Sequence, residues 1–396
     1  TKIGTGTLTL SGNNTYTGAT TISAGTLKAG SATGISSAST LNATGGVFDL
    51  NGYNATVAAV GVGNAAGTIT NSASGSGTNT LTITNYNANL ASLITDGATA
   101  KTAVTIYNNG GANALSNANN TFSGGLTIAN GGSNARLYQG SVTNTLVNGT
   151  LTKSNLGTGT VFIGANGSTA AAQLQLSSGS VYNSIVVNAA SYPDGGSAAF
   201  RIDGTVAFYG TLTAGASDIS FSGYSTGSAT AYGQLTGTNG LLLNPSQGTA
   251  FTLTLANTAN AANNYSGNTT ISANTTLALG AANQIANGAG KGNLIINSGT
   301  FNMAGFSETI NGLSGNGTID GNGATLNVGD NNATSTFSGV IKNTAGTLAL
   351  TKIGNGTLSL SGVNTYSGGT TVNAGTLSIN VGSGISGALV MNNGTT

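Results

Sequence analysis

The side chains that could perform acid–base chemistry are few in this chain of 396 residues. The chain contains neither His nor Cys, and its single glutamate is Glu308. Its seven aspartates are Asp49, Asp96, Asp194, Asp203, Asp218, Asp320 and Asp330. Without His, the Ser-His-Asp and Cys-His nucleophile systems are impossible, and the commonest general base and metal ligand are both absent. The chemistry that remains is that of carboxylates acting with Arg or Lys, as in β-helical enzymes that act on polysaccharides.

The densest group of such side chains consists of Asp194, Arg201, Asp203 and Asp218. On a strand, Arg201 and Asp203 lie two residues apart and share one face. An exposed ion pair explains that spacing as well as catalysis does. We therefore assign no catalytic residue and predict that the chain is not an enzyme, with a polysaccharide-active enzyme as a remote alternative.

Metal binding has one weak motif. The stretch GNGTIDGNG at 315–323, with Asp320 and the nearby Asp330, resembles the Gly/Asp-rich calcium turns of repeat proteins. The nine-residue recurrence of those turns is missing, and a plain Asn/Gly turn explains the stretch. We predict no metal site and no cofactor.

The charge content excludes two classes of partner. Charged residues make up 4% of the chain, and 9 Lys and Arg stand against 8 Asp and Glu. Nucleic-acid binding needs clustered basic residues, so no such partner is expected. No run approaches the roughly 18 apolar residues of a membrane-spanning helix, so we expect no membrane insertion by this segment.

An aromatic-rich segment at 192–232 is the best candidate for recognition. We predict a binding surface there, formed by Tyr192, Arg201, Asp203, Phe208, Tyr209, Phe221, Tyr224 and Tyr232. Tyrosine rings offer a flat apolar face with a polar end, which suits a sugar or a partner protein. The repeat pattern is hardest to see in this segment, which predicts an irregular or protruding structure. The alternative is a wider coil whose core needs larger side chains.

The elements that position these residues are predicted to be short strands. In GTLTLSG at 6–12, Leu8 and Leu10 point one way while Thr7 and Thr9 point the other, and GTLSLSG at 356–362 repeats the alternation. Period-two alternation is the strand signature. Gly-Thr followed by Leu, Ile, Val or Phe occurs twelve times, with Gly and Asn at the expected corners.

The chain also repeats itself over a longer range. Residues 1–27 and 351–377 share 20 of 27 identities, TKIGTGTLTLSGNNTYTGATTISAGTL against TKIGNGTLSLSGVNTYSGGTTVNAGTL. Degraded copies occur at 120–131, 264–277 and 336–340. Short strands, frequent corners and a repeat of about 20 residues predict an all-β parallel solenoid of roughly 16–20 coils, where one coil is one full turn of the chain.

This architecture predicts which side chains are buried. The apolar residues expected inside are Leu8, Leu10, Ile22, Leu27, Leu358, Leu360, Val372 and Leu377. The residues expected outside are Thr7, Thr9, Thr357 and Ser359. We expect one continuous solenoid over 1–396, in which 1–46 and 351–396 are equivalent copies.

The repeated 27-residue segment resembles the passenger-associated transport repeat, also called the autotransporter-associated β-strand repeat. The resemblance implies a right-handed parallel β-helix, exported by bacteria and displayed outside the cell. Proteins with this repeat are large surface or secreted proteins, often adhesins. The motif carries no catalytic residue, so none is transferred.

Two functions fit these observations. The first is a structural rod of the bacterial surface, a fibre, stalk or coat, because neither terminal copy shows the charge, proline or polar repeat that caps a solenoid. Such ends would associate with a second subunit or continue in a longer tandem polypeptide, and the residues expected at the contact are Thr5, Thr7, Thr9, Leu377 and Ile379. The second is an adhesin that binds a host surface or glycan through the aromatic-rich segment.

Overall fold

The structure is a computed structural model that describes residues 1–61, 66–86, 88–108, 113–130, 135–165, 171–189, 198–224, 227–245, 249–258, 261–380, 384–385, 387–392 and 394–396. The chain divides into two compact units, Thr1–Pro193 and Asp194–Thr396. Each unit is described by itself.

The strands of the first unit are short and follow one another closely. They are β1 Thr7–Leu10, β2 Thr20–Ile22, β3 Thr26–Ala29, β4 Thr40–Ala43, β5 Val47–Asp49, β6 Ala55–Val57, β7 Ala59–Val60, β8 Thr68–Thr70, β9 Thr78–Tyr86, β10 Leu93–Ile94, β11 Lys101–Asn108, β12 Leu126–Asn130, β13 Ala135–Val142, β14 Asn144–Val147, β15 Thr150–Ser154, β16 Val161–Ile163, β17 Ala172–Val181 and β18 Ile185–Val187.

Parallel pairing between successive coils organises the first unit. One sheet has the order β1-β3-β5-β8-β10, a second β2-β4-β7, and a third β6-β9-β11-β12-β16-β18, while β13 pairs with β17. In the first sheet Thr7 lies beside Thr26 and Thr26 beside Val47. The chain thus returns to the same position after 19 and then 21 residues, which is the repeat length that the sequence shows.

A hairpin interrupts this pattern. Strands β14 and β15 pair antiparallel around a turn at Asn148 and Gly149, both of which have positive φ. Asn and Gly adopt such φ values at low cost, and Asn-Gly is a favoured hairpin turn. Gly149 begins one of the twelve Gly-Thr motifs, so here the motif starts a hairpin strand and not a strand of a parallel ladder.

The second unit contains the strands β19 Phe200–Phe208, β20 Leu212–Ala214, β21 Ile219–Gly223, β22 Ser228–Ala231, β23 Leu235–Gly237, β24 Leu241–Leu243, β25 Phe251–Leu255, β26 Thr269–Ile271, β27 Thr275–Leu279, β28 Leu294–Ile296, β29 Thr300–Asn302, β30 Glu308–Ile310, β31 Leu313–Gly315, β32 Thr318–Asp320, β33 Thr325–Val328, β34 Ser335–Phe337, β35 Val340–Lys342, β36 Ala349–Lys352, β37 Thr357–Leu360, β38 Thr370–Val372, β39 Thr376–Ile379 and β40 Leu389–Met391.

Three long parallel ladders run through the second unit. The first is β19-β21-β24-β26-β28-β31-β34-β37-β39, the second is β19-β22-β25-β27-β29-β32-β35, and the third is β30-β33-β36-β38-β40. The long strand β19 contributes to two ladders, pairing with β21 up to Ile202 and with β22 from Thr205 onward. Like side chains therefore stack in rows, with Leu, Ile, Val and Phe inside.

The predicted fold class is confirmed. The described residues form an all-β structure without helices, in which parallel strands stack as a β-solenoid of about 15 turns, slightly fewer than the roughly 16–20 coils predicted. No helix in the described part of the chain could span a membrane. The right-handed turn and the single continuous solenoid stay predictions.

Most predicted interior residues are buried, with exceptions at the two ends. Ile22, Leu27, Leu358, Leu360 and Val372 are at most 2% exposed. Leu8 is exposed, and Leu10 and Leu377 are half-buried. The prediction is therefore wrong for Leu8, because β1 is the first strand of its sheet and no described strand lies on its other side.

Candidate functional site

The phenylalanines of the aromatic-rich segment form core. Phe200 stacks on Phe221 with ring centroids 4.8 Å apart, Phe221 stacks on Phe251, and Phe208 packs edge-on against Phe200. All four rings are buried. Phe208 and Phe221 were predicted to bind a ligand, and burial prevents that contact. They point inward because they occupy the apolar phase of the alternation.

The described part of this segment is also regular. It contains β19, β20, β21 and β22, so the prediction of an irregular or protruding structure is wrong for these residues. The larger aromatic core is what the alternative interpretation expected. Tyr192 and Asp194 lie outside the described residues.

Two tyrosines of the segment form an exposed stack. Tyr209 follows β19 directly and Tyr232 follows β22, and both point outward because the preceding residues, Phe208 and Ala231, point inward. Their rings are 4.9 Å apart at an interplanar angle of 10°. They are 43% and 42% exposed, so the stacked rings remain available to a ligand.

The third exposed tyrosine belongs to a separate charged group. The guanidinium of Arg201 lies 4.1 Å from the ring centroid of Tyr224, and its Nε donates to Asp203 Oδ1 at 3.0 Å. The predicted Arg201–Asp203 pair is thus formed, and a cation–π contact adds to it. The guanidinium of Arg201 thus contacts both Asp203 and Tyr224. Because Arg201 and Asp203 carry opposite charges, the group of three residues is close to neutral.

Other aspartates connect successive coils. Asp49 accepts from the N–H and the hydroxyl of Ser72, and Asp96 accepts from the same two groups of Ser123. Asp218 accepts from the N–H of Gly240 at 2.7 Å. These carboxylates thus accept backbone hydrogen bonds at strand ends. A catalytic carboxylate would instead face a cleft.

Asp320, the residue of the calcium-like turn, is a further example. It accepts from the N–H and hydroxyl of Thr344, and Lys342 Nζ lies 3.5 Å away. Burial alone would raise the pKa of Asp320, but the bonds from Thr344 and the charge of Lys342 lower it. Among the described residues, no three acidic side chains gather as they would around a metal ion.

Glu308 is fully buried and faces the interior. Its carboxyl accepts from the N–H of Gln284 at 2.7 Å and of Ile285 at 3.3 Å. Burial raises the pKa of Glu308 to about 8, against the opposing effect of these hydrogen bonds. Glu308 is thus a buried structural acid, and no sequence pattern predicted its burial.

The first coil presents an open apolar surface. Leu8, Leu10 and Tyr16 line a hollow of about 280 Å³ together with Thr1, Lys2, Ala19, Thr20 and Leu27. Thr5, Thr7 and Thr9, predicted to lie at an assembly contact, are exposed beside it. The surface therefore combines apolar side chains with the unpaired edge of β1.

The last coils also leave apolar side chains exposed. Leu377 is half-buried and Ile379 is exposed, as are Leu389, Val390 and Met391 of β40. The N–H of Leu377 donates to the carbonyl of Thr396 at 2.7 Å, so part of the β39 edge is already paired. Of the residues predicted at an assembly contact, those at this end are the less accessible.

Two recurring details were missed from the sequence. Tyr and Thr four residues apart share a hydrogen bond in three copies, at Tyr16–Thr20, Tyr265–Thr269 and Tyr366–Thr370. The spacing is visible in TYTGAT, NYSGNT and TYSGGT.

The second detail is a cradle for a lysine. Lys352 Nζ donates to the carbonyls of Ile353, Gly354 and Ala374, and Lys2 Nζ donates to the equivalent carbonyls of the first copy. Gly25 and Gly375 close the cradles with φ of +68°, where an added Cβ would lie 2.4 Å from a backbone oxygen.

Comparison with known proteins gives two findings. The family model of the passenger-associated transport repeat matches residues 1–29, 110–133 and 350–379, which confirms the resemblance. The adhesin BmaC autotransporter of Brucella suis biovar 1 (strain 1330) is 41% identical over 121 residues, covering 28% of this chain and 3% of that protein. The chain thus matches only a small part of this relative. No solved structure matches significantly.

Proposed function

We propose that this chain is a non-catalytic section of a rod-shaped surface passenger, and that a further coil covers its first coil. The coil comes from a second subunit or from the same polypeptide. The matched repeats and the adhesin relative support a passenger role at a bacterial surface. The rod is our extension of that role.

One observation carries the proposal. Leu8 is 45% exposed, whereas Leu358 at the equivalent position of the last copy is 1% exposed. Leu358 is covered because β34 of the preceding coil pairs with β37. The sequence around Leu8 is that of a covered coil, so its apolar side chains are suited to the same kind of neighbour.

The energetics favour such a neighbour. Covering Leu8, Leu10 and Tyr16 removes apolar surface from water, at about 25 cal/mol per Å². The unpaired N–H and C=O groups of β1 gain partners at the same time. Lys2, the charged residue that lines this hollow, donates from its Nζ to the carbonyls of Ile3, Gly4 and Ala24.

Grafting a coil tests the proposal directly. A copy of residues 331–350, which precede the covered copy, is added ahead of Thr1, and unfolding is followed in urea. We expect a higher midpoint, and we expect Leu8→Ala to lower the stability of the grafted protein more than it lowers that of the original chain. An unchanged midpoint would contradict the proposal.

Assembly of separate subunits needs its own measurement. Sedimentation velocity over a wide concentration range should show association that Leu8→Lys abolishes. Val363→Lys is the matched control, since Val363 is an exposed apolar residue of the covered copy. A strictly monomeric chain with an ordered first coil would exclude subunit stacking and leave only continuation of the polypeptide.

A second candidate function is adhesion through the tyrosines. Tyr209, Tyr224 and Tyr232 are exposed, while the core is filled by phenylalanines, so these three rings do not serve to fill the core. Alanine at Tyr209 and Tyr232 should abolish binding to host cells or glycans without lowering the melting temperature. Lower stability with unchanged binding would assign the rings a structural role.

A further inference from the structure

We propose that the ring face of Tyr232 turned away from Tyr209 is the wall of a binding site for a neutral pyranose chain. The floor of this site is formed by Ala256 and Gly280. The inference rests on the second candidate function, adhesion through the tyrosines, and assigns it one ring face and one class of ligand.

The register of the second ladder places these residues in one outward row. Phe208 lies beside Ala231, Ala231 beside Leu255 and Leu255 beside Leu279, and all four point inward. The next residues along the chain are Tyr209, Tyr232, Ala256 and Gly280. They point outward because side chains alternate along a strand.

Backbone hydrogen bonds extend the ladder through this row. The N–H of Tyr232 donates to Phe208 at 2.8 Å, that of Ala256 to Ala231 at 2.9 Å, and that of Gly280 to Leu255 at 2.7 Å. The row is therefore as regular as the strands, and its members are separated by the strand spacing of about 4.8 Å.

Side-chain size falls abruptly along the row. Two stacked rings are followed by a methyl group at Ala256 and by a bare backbone at Gly280. Tyr232 lies between Tyr209 and Ala256, so the two positions of the row beside its second ring face carry only a methyl group and a glycine. That step is about 9–10 Å wide, which accommodates a six-membered ring stacked on the tyrosine.

Packing explains why the step stays bare at Gly280. A Cβ added there would lie 2.7 Å from Cβ of Ala256 and 3.2 Å from Cγ2 of Thr254. A side chain at this position would therefore displace its neighbours. The glycine keeps the far end of the step at backbone level.

The chemistry beside the step selects a neutral ligand. The adjoining outward row contains Ala207, Thr230, Thr254 and Ala278, and the row beyond it contains Thr205, Ser228, Thr252 and Thr276. Hydroxyls both donate and accept hydrogen bonds, as sugar hydroxyls do. The strands of these rows carry no charge between 205 and 209, 228 and 232, 252 and 256, or 276 and 280.

An anionic chain lacks a counter-charge here. Arg201, at the other end of β19, is paired with Asp203 at 3.0 Å. A carboxylated or sulfated polysaccharide would thus lose hydration without an ion pair in return. The flat aromatic face and the hydroxyl rows together favour a neutral hexose or pentose chain.

The test measures binding of the full chain to immobilised hexasaccharides. The neutral probes are cello-, manno-, xylo- and galacto-oligosaccharides, and the anionic probes are oligogalacturonate and heparin oligosaccharide. We expect binding to at least one neutral probe, with little effect of salt. Tyr232→Ala should weaken it about tenfold, the order of one lost stacking contact.

A filling variant separates this site from the rest of the segment. Ala256→Tyr extends the ring stack into the step, leaves Tyr209 and Tyr232 in place, and should weaken binding as much as Tyr232→Ala. Tyr53→Ala, at a tyrosine of the first unit that is 40% exposed, is the matched control and should leave binding unchanged. Circular dichroism and the melting temperature show whether each variant is folded.

Two results would overturn the inference. They are the absence of binding to every neutral probe, and binding that Tyr232→Ala and Ala256→Tyr leave unchanged in folded protein. If cells still adhere through the tyrosines in either case, adhesion stands and only the ligand class and ring face are wrong. If Tyr209→Ala with Tyr232→Ala leaves cell adhesion unchanged, adhesion through these rings fails as well.

Discussion

The copies at 1–29 and 351–379 have nearly the same sequence and the same local structure, yet their side chains differ sharply in burial. Both contain the lysine cradle, both contain the Tyr–Thr hydrogen bond, and both place a glycine at φ +68° directly before the third strand, β3 or β39. Tyr16 is nevertheless 37% exposed where Tyr366 is fully buried.

The difference comes from the neighbouring coil. In the last copy β34 lies beside β37 and β33 beside β36, whereas β1 of the first copy has a described neighbour only in β3. The sequence of a coil thus determines its strands and corners, while the neighbour determines the energetic contribution of each side chain. Identical substitutions in the two copies measure that contribution.

The largest expected contrast is at the paired leucines. Leu358→Ala removes a fully buried side chain and should lower the free energy of unfolding by about 2–5 kcal/mol. Leu8→Ala should lower it by well under half of that, because Leu8 already contacts water. Urea unfolding of the two variants gives the comparison, and equal losses would contradict it.

Another covered coil adds an ionisable group to the comparison. Tyr265 repeats the hydrogen bond of Tyr366. Burial raises the pKa of Tyr265, and the nearby Glu308 adds a smaller effect in the same direction. The pKa of Glu308 is raised from 4.5 to about 8, so the folded state keeps a proton that the unfolded state loses. Stability should therefore fall between about pH 4.5 and 8, at up to about 1.4 kcal/mol per pH unit.

Glu308→Gln removes this proton linkage. Urea midpoints measured from pH 5 to pH 8 should decline in the wild type and be nearly flat in the variant. Asp320→Asn is the control, because the lowered pKa of Asp320 confines its linkage to more acidic solutions. A wild-type midpoint that stays flat over this range would show that Glu308 is already ionised when folded.

The lysine cradles should give a smaller difference. Lys352 is buried, so Lys352→Met leaves three backbone carbonyls without their donor and should destabilise the fold by about 1–3 kcal/mol. In Lys2→Met the equivalent carbonyls are open to water, and the loss should be a fraction of that value. Equal melting temperatures for the two variants would show that the contribution of the cradle to stability does not depend on a covering coil.

The sequence predicts well which strands form and which way their side chains point. It predicts poorly which of those side chains a neighbouring coil covers. Alternation correctly assigned Leu358 and Leu360 of GTLSL to the interior. It failed at Leu8, since alternation states where a side chain points and not whether anything lies above it. The Lys2 cradle was missed because its acceptors are backbone atoms, which no residue type reveals.

The tyrosine stack shows a related limit. Adjacent Phe208 and Tyr209 differ in phase, so alternation alone places the phenylalanine inside and the tyrosine outside. The partner of Tyr209 could not be predicted, because the spacing between paired positions changes from coil to coil. Thr300 lies beside Thr318, 18 residues on, whereas Thr252 lies beside Thr276, 24 residues on.

The finest test of the comparison is the tyrosine hydroxyl. Tyr366→Phe keeps the buried ring but leaves the Thr370 hydroxyl without its partner at 2.6 Å, which should cost about 1 kcal/mol. Tyr16→Phe breaks the equivalent bond to Thr20, which is 2.8 Å long. Because Tyr16 is exposed, water can replace the lost partner of Thr20. The free energy of unfolding should therefore change by no more than about 0.5 kcal/mol. A double-mutant cycle with Thr370→Val isolates the pair, and it should show coupling in the covered copy that the matching cycle with Thr20→Val lacks. Equal coupling in the two copies would mean that the local Tyr–Thr geometry, and not the covering coil, sets the strength of this bond.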